Sequence, residues 1–143
     1  MSESEQILEA IRALLLAVLN AKVERNMVVP EKIQSGGLIL VRGGDPGEPE
    51  TALGCFGSIY YSHDVEIEVY VENGDAVMRD ALFDALLQEI GALLDADPTL
   101  GGLTFGMTYG RLEIHGEALV GALAIKAGVF TVITEYETAS PLG

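Results

Sequence analysis

The chain holds one cysteine, Cys55, and two histidines, His63 and His115. A metal site built on them would show HxxxH or CxxC spacing, and neither occurs. A thiol nucleophile needs a nearby base and a depressed pKa. Cys55 has no basic residue close in sequence and sits in acidic surroundings, so it reads as a buried or incidental cysteine. His63 falls on the apolar side of an alternating stretch, where a bond to a backbone carbonyl is expected. His115 precedes Gly116 in what reads as a turn, and is expected at the surface.

Carboxylates are the abundant reactive groups. Asp64, Glu66 and Glu68 share one face of a strand, and Glu135 and Glu137 share a face of another. Paired acids do hydrolytic or transfer chemistry only when a cleft holds them around a substrate. No insertion long enough to build a cleft interrupts the pattern, so a solvated, charge-lined strand face is expected. The glycine pairs Gly36-Gly37, Gly43-Gly44 and Gly101-Gly102 lack Walker spacing and a following Lys-Ser/Thr, so they read as turns. The expectation is a protein that is not an enzyme and needs no cofactor.

These residues are positioned by one central stretch, Cys55 to Ala96. Ile59, Tyr61, His63, Val65, Ile67, Val69 and Val71 alternate with Tyr60, Ser62, Asp64, Glu66, Glu68, Tyr70 and Glu72, predicting a strand over about 56–72 with one apolar face. Unbroken, it would span roughly 50 Å, so it bends near Gly57 or His63, or projects with an open edge. Asn73-Gly74 turns the chain, and Asp75 caps a helix whose stripe is Met78, Leu82, Leu86, Ile90 and Leu93. A second ridge, Phe83, Leu87 and Leu94, widens the apolar surface.

Ahead of this unit, Ser2 and Glu5 make a capping-box pattern for a helix to about Asn20, buried through Ile7, Leu8, Ile11, Leu14, Leu15, Val18 and Leu19, with Leu16 on the wet side. Strands follow at Val23–Val29, closed by Pro30, and at Gly37–Arg42. A loop or mobile arm covers 43–50. After the second helix, Leu103 to Ile114 reads as a strand with a bulge near Gly110-Arg111, and Leu119 to Tyr136 as a last strand that Gly128 interrupts. Phe130, Val132 and Tyr136 lie on one face of it, Val129 and Ile133 on the other, so cover on both sides is expected. The predicted fold is α+β: a single domain over 1–143, a largely antiparallel sheet of about five strands carrying two helices, in the order α-β-β-β-α-β-β. Met1–Ser4 and Ala139–Gly143 are expected to be flexible ends.

A net charge of −14 argues against gripping nucleic acid phosphates or anionic membranes. One cysteine excludes an internal disulfide, and the start lacks the basic region of a secretory signal, so a soluble cytoplasmic product is expected.

Several strings resemble the tail terminator (minor tail, tail-completion) proteins of long-tailed bacteriophages and prophages. They are the opening helix running into Val23-Glu24-Arg25-Asn26, and the Gly43-Gly44-Asp45-Pro46-Gly47 arm. To these add Tyr60-Tyr61-Ser62-His63-Asp64-Val65-Glu66-Ile67-Glu68-Val69, and Ala81-Leu82 to Leu94-Asp95-Ala96-Asp97 before a Leu100-Gly101-Gly102 turn. The resemblance implies a homo-oligomer, a hexameric ring that caps the tail tube, ends its polymerisation and joins tail to head. Its partners would be the tail-tube protein and a head–tail joining protein, with DNA passing through without specific binding and no membrane involved. It would be cytoplasmic during assembly and then part of the virion. Under that reading Asp64, Glu66 and Glu68 are candidate lumen or ring-surface acids. Leu16, Phe83, Leu87, Val129 and Ile133 are candidate subunit contacts, and Gly43, Gly44, Asp45, Pro46 and Gly47 a candidate partner loop. The alternatives are a small cytoplasmic α+β adaptor that pairs a peptide through an open strand edge, and, last, a small acyl or CoA-group transferase.

Overall fold

The computed structural model describes residues 2–18, 21–25, 33, 36–44, 46–47, 49, 59–110, 112–120 and 123–139. Its elements are α1 (Glu3–Leu15), β1 (Lys22–Arg25), β2 (Leu38–Arg42), β3 (Ile59–Glu72), α2 (Ala76–Ala96), a 3-10 turn at Leu100–Gly102, β4 (Gly106–Tyr109), β5 (Glu113–Val120) and β6 (Leu123–Thr138). The fold is α+β, with a mixed six-stranded sheet in the order β1-β2-β3-β6-β4 and β5 also paired to β6. Every pair is antiparallel except β1 with β2.

The α1 helix starts where Ser2 Oγ accepts from the Glu5 N–H at 3.2 Å. Ser2, Glu3 and Ser4, expected in a flexible end, are therefore its cap and first turn. The Glu5 side chain, cast as the other half of a capping box, is held by Arg25 of β1 through contacts of 2.6 and 3.2 Å. Arg25 also reaches Glu9 at 3.2 Å, so one guanidinium ties the first helix to the edge strand. Ile7, Leu8, Ile11 and Leu15 are buried as expected, Leu14 is half-buried, and the helix ends at Leu15 rather than near Asn20.

The central unit forms as the alternation predicts. The odd residues from Tyr61 to Val71 are buried, and Ser62, Asp64 and Glu66 are exposed. The β3 strand runs unbroken against β6, from Ile59 opposite Thr138 to Glu72 opposite Ile125. Its pairing continues without a break through His63 and past Gly128, and Gly57, the other expected bend, lies outside the described residues. A full-length partner is what supports so long a strand.

Asp75 caps α2, its Oδ1 accepting from the N–H groups of Val77 at 2.9 Å and Met78 at 3.3 Å. The helix is turned from its expected facing. Its buried residues are Arg79, Phe83, Leu86, Ile90 and Leu94, while Met78 is 58% exposed and Leu82 and Leu93 are half-buried. Arg79 is admitted to that face because its Nη1 donates to the Asn73 carbonyl at 2.9 Å. Phe83 meets the sheet at Gly128, where an added Cβ would lie 2.8 Å from its Cζ. Phe83 belongs to the core of the protomer, and its assignment to a subunit contact is corrected accordingly.

The sheet's second half differs from expectation. Residues 103–114 divide into β4 and β5, which lie end to end along one edge of β6. Between Tyr109 opposite Val132 and Glu113 opposite Val129 there is one extra residue, the bulge expected near Gly110-Arg111. A second irregularity falls between Ile114 and Glu117, so His115 is in a strand and not in a turn. Leu119 is paired to Ala124 across a hairpin, so the expected strand from Leu119 to Tyr136 is two strands.

Candidate interaction surface

Both helices pack on the sheet face that carries Val65, Ile67, Val69, Phe130 and Val132, closing one core with Ile7, Ile11, Phe83 and Ile90. Strand alternation sends the other residues of β3 and β6 to the opposite, outer face. There the register sets Asp64 beside Ile133, Glu66 beside Thr131, and Glu68 beside Val129. Glu135 and Glu137, opposite Ser62 and Tyr60, join the same face. Asp64, Glu66, Glu135 and Glu137 are exposed; Val129, Thr131 and Ile133 are half-buried between them.

Cations enter this face at the β2 side. Arg42 pairs with Glu68, whose other oxygen accepts from Tyr70 Oη at 2.5 Å. Leu38 and Leu40 also point outward yet are fully covered, packed with Ile33, Tyr70 and Ile125. Among the described residues the outer face is thus closed at β2 and open over β3 and β6, where an apolar row runs beside an acidic one.

The structure brings Asp64, Glu66, Glu68, Val129 and Ile133 together and leaves the other candidates apart. Leu16 is 53% exposed at the end of α1. Leu87 is half-buried on the helical side, in the wall of a hollow of about 160 Å³ shared with Ile90, Leu94, Tyr109 and Phe130. Tyr109 Oη bridges that hollow's rim to Asp95 at 2.7 Å, a bond that pushes the phenol's pKa up.

The candidate partner loop is laid along β3. Gly43 is buried, and its carbonyl accepts from His63 Nε2, the backbone bond expected of that histidine. A Cβ on Gly44 would lie 3.3 Å from the Asp64 carbonyl, and one on Gly47 3.7 Å from that of Ser62. Both glycines have positive φ, 61° and 84°, which other residues adopt at a cost. The described part of this loop, which includes Pro46, follows the strand rather than projecting as an arm. Asp45 and Cys55 lie outside the described residues.

Among the described residues no group of three or more His, Cys, Asp or Glu gathers to hold a metal, and no helix is long and apolar enough to cross a membrane. Sequence reasoning missed the exposure of Val77 (79%), Phe105 (59%) and Ile114 (56%). For Phe105 the signal was its place just after the Gly101-Gly102 turn. No family model and no curated protein matches the chain.

Proposed function

We propose that the chain is a non-enzymatic structural protein of the tail-terminator type. Copies of it close into a ring that caps a phage or prophage tail tube, ends tube growth and joins tail to head. The observation that carries this reading is the open outer face, with Val129 and Ile133 half-buried beside exposed Asp64 and Glu66. Apolar side chains on a sheet face left open invite burial against an identical neighbour. Carboxylates in the adjacent row, on a chain of net charge −14, repel phosphates and let DNA slide past a lumen without sticking.

Light scattering at several concentrations, with and without purified tail tubes, tests the proposal. Self-association or capture at tube ends is the expected result. A chain that stays monomeric and ignores tube ends overturns it.

One observation favours a second reading. Among the described residues, the edge formed by β4 and β5 has no strand partner beyond β6. An adaptor would use that edge to add a strand from a partner peptide. Capsid, tail-tube and tape-measure genes beside this one favour the ring, and metabolic or regulatory genes favour the adaptor.

A further inference from the structure

The end of the sheet where β3 begins and β6 finishes carries a cup that the ring reading does not use. Tyr60 and Tyr61 sit opposite Glu137 and Tyr136. Phe105 reaches them from the loop before β4, anchored by its N–H donating to the Glu135 carbonyl at 2.7 Å. Tyr61 and Tyr136 stack with ring centroids 5.6 Å apart, and Phe105 tilts against Tyr60 at 5.9 Å. Two hollows share Phe105 and Tyr136 as a wall. One, of about 240 Å³, adds Tyr60, Tyr61 and Glu135; the other, of about 250 Å³, adds Glu3, Thr104 and Glu137. Thr104 is only 5% exposed, and its hydroxyl has no hydrogen-bond partner among the described residues.

Aromatic faces and three carboxylates, with no basic side chain among the described residues of either wall, call for a cation that carries N–H donors. A guanidinium suits them best: it is planar, stacks on rings, and its fork of N–H groups matches a carboxylate. The six described basic side chains of this chain are already engaged at home. Arg12 bonds Glu9, Lys22 pairs with Glu24, Arg25 holds Glu5 and Glu9, and Arg42 holds Glu68. Arg79 bonds the Asn73 carbonyl, and Lys126 pairs with Asp80 over the Phe83 ring. We infer that the cup receives an arginine side chain of a different protein, whether or not this chain forms a ring.

The test titrates the full chain with the blocked peptide acetyl-Gly-Arg-Gly-amide and, separately, with its neutral citrulline counterpart, following backbone-amide NMR shifts. Saturable shifts centred on 60–61, 104–105 and 135–137 are expected with the arginine peptide, and a much weaker response with citrulline. Phe105→Ala should weaken binding by about 2- to 30-fold, the range of a single cation–π contact. Glu135→Gln, an exposed change that leaves the rings in place, should weaken it too, while Glu66→Gln, farther along the sheet, should not. Equal response to both peptides, no saturable response, or shifts spread over Asp64 and Glu66 overturns the inference. If the arginine peptide instead breaks up a self-associated form, the occupant is a second copy and the assignment to another protein fails.

Discussion

Phe83→Ala and Ile133→Lys, taken together, separate the protomer's core from its proposed contact face. Phe83 is 3% exposed and packs within the main core cluster, so truncating it leaves a cavity under α2. Large-to-small changes of this kind cost about 3–5 kcal/mol. Losing the Lys126 ammonium above the ring, 5.0 Å from its centroid, adds about 0.5 kcal/mol. For 143 residues the unfolding entropy near Tm is about 0.3 kcal/mol/K, so the melting temperature should fall by roughly 12–18 °C. Ile133 is half-buried on the outer face, directly across from Asp64. A lysine there gains an opposite-charge cross-strand neighbour worth about 0.2–1 kcal/mol, which offsets part of the lost apolar contact. Its melting temperature should stay within about 3 °C of the parent. Buried against a second copy, the same ammonium would be desolvated, and self-association should drop sharply. Calorimetry and light scattering on both variants read the two effects. If Phe83→Ala barely moves the melting temperature but abolishes association, or if Ile133→Lys leaves association intact, the division of residues argued above is wrong.

Three further outcomes follow from local geometry. The Arg25 guanidinium holds the Glu5 carboxyl below its ordinary value, chiefly by hydrogen bonding. The folded pKa lies below the unfolded one, so this stability is present at neutral pH and is lost as pH falls below about 4.5 and through the depressed value. Arg25→Met should return the Glu5 carboxyl, read by carbon NMR, towards the ordinary value and flatten the acid limb of the stability curve. Gly128→Val should destabilise by about 1–3 kcal/mol, seen as a lower urea midpoint at unchanged m, because even a Cβ would stand 2.8 Å from Phe83 Cζ. Asp95→Asn should bring forward the alkaline titration of one of the five tyrosines, Tyr109, whose pKa the Asp95 hydrogen bond raises. Ultraviolet titration of the phenolate reads it, and an unchanged curve would dissolve that pairing.

How far the sequence could be read depended on whether one force dominated locally. The β3 strand alternates because one face is packed and the other wet, and its facing was legible residue by residue. So were the caps at Ser2 and Asp75, where a short side chain must satisfy helix N–H groups. The α2 helix was legible as a helix but not in rotation. Leu82, Leu87 and Leu93 ring it with partly buried side chains, and the deciding residue, Arg79, enters the buried face through a bond to the Asn73 carbonyl that no apolar count reveals. The uniformly apolar β2 hid two facts at once. It is covered on its outer side by Ile33, and it pairs in parallel with β1, a direction that an apolar run does not encode. Leu119 to Leu123 read as continuous strand because Gly121 is its one breaker, and one glycine is a weak turn signal.

The outer face shows the same logic at the level of function. Asp64, Glu66 and Glu68 were recognised as one row, and Val129 with Ile133 as another, but their adjacency depends on the β3–β6 register. That register follows from fourteen consecutive pairings, in which a slip by one residue would bury Asp64 and Glu66 under the helices. The helices therefore fix, from the far side of the sheet, which residues are free to meet a partner. Any change that loosens α1 or α2 should be felt at the acidic row although it touches none of it. Phe83→Ala carries that consequence too: under mild denaturant, amide exchange at Thr131 and Ile133 should quicken along with that of the helix. If exchange in the sheet stays unchanged while α2 opens, the face is fixed by the sheet's own pairing, and the helices do no more than cover it.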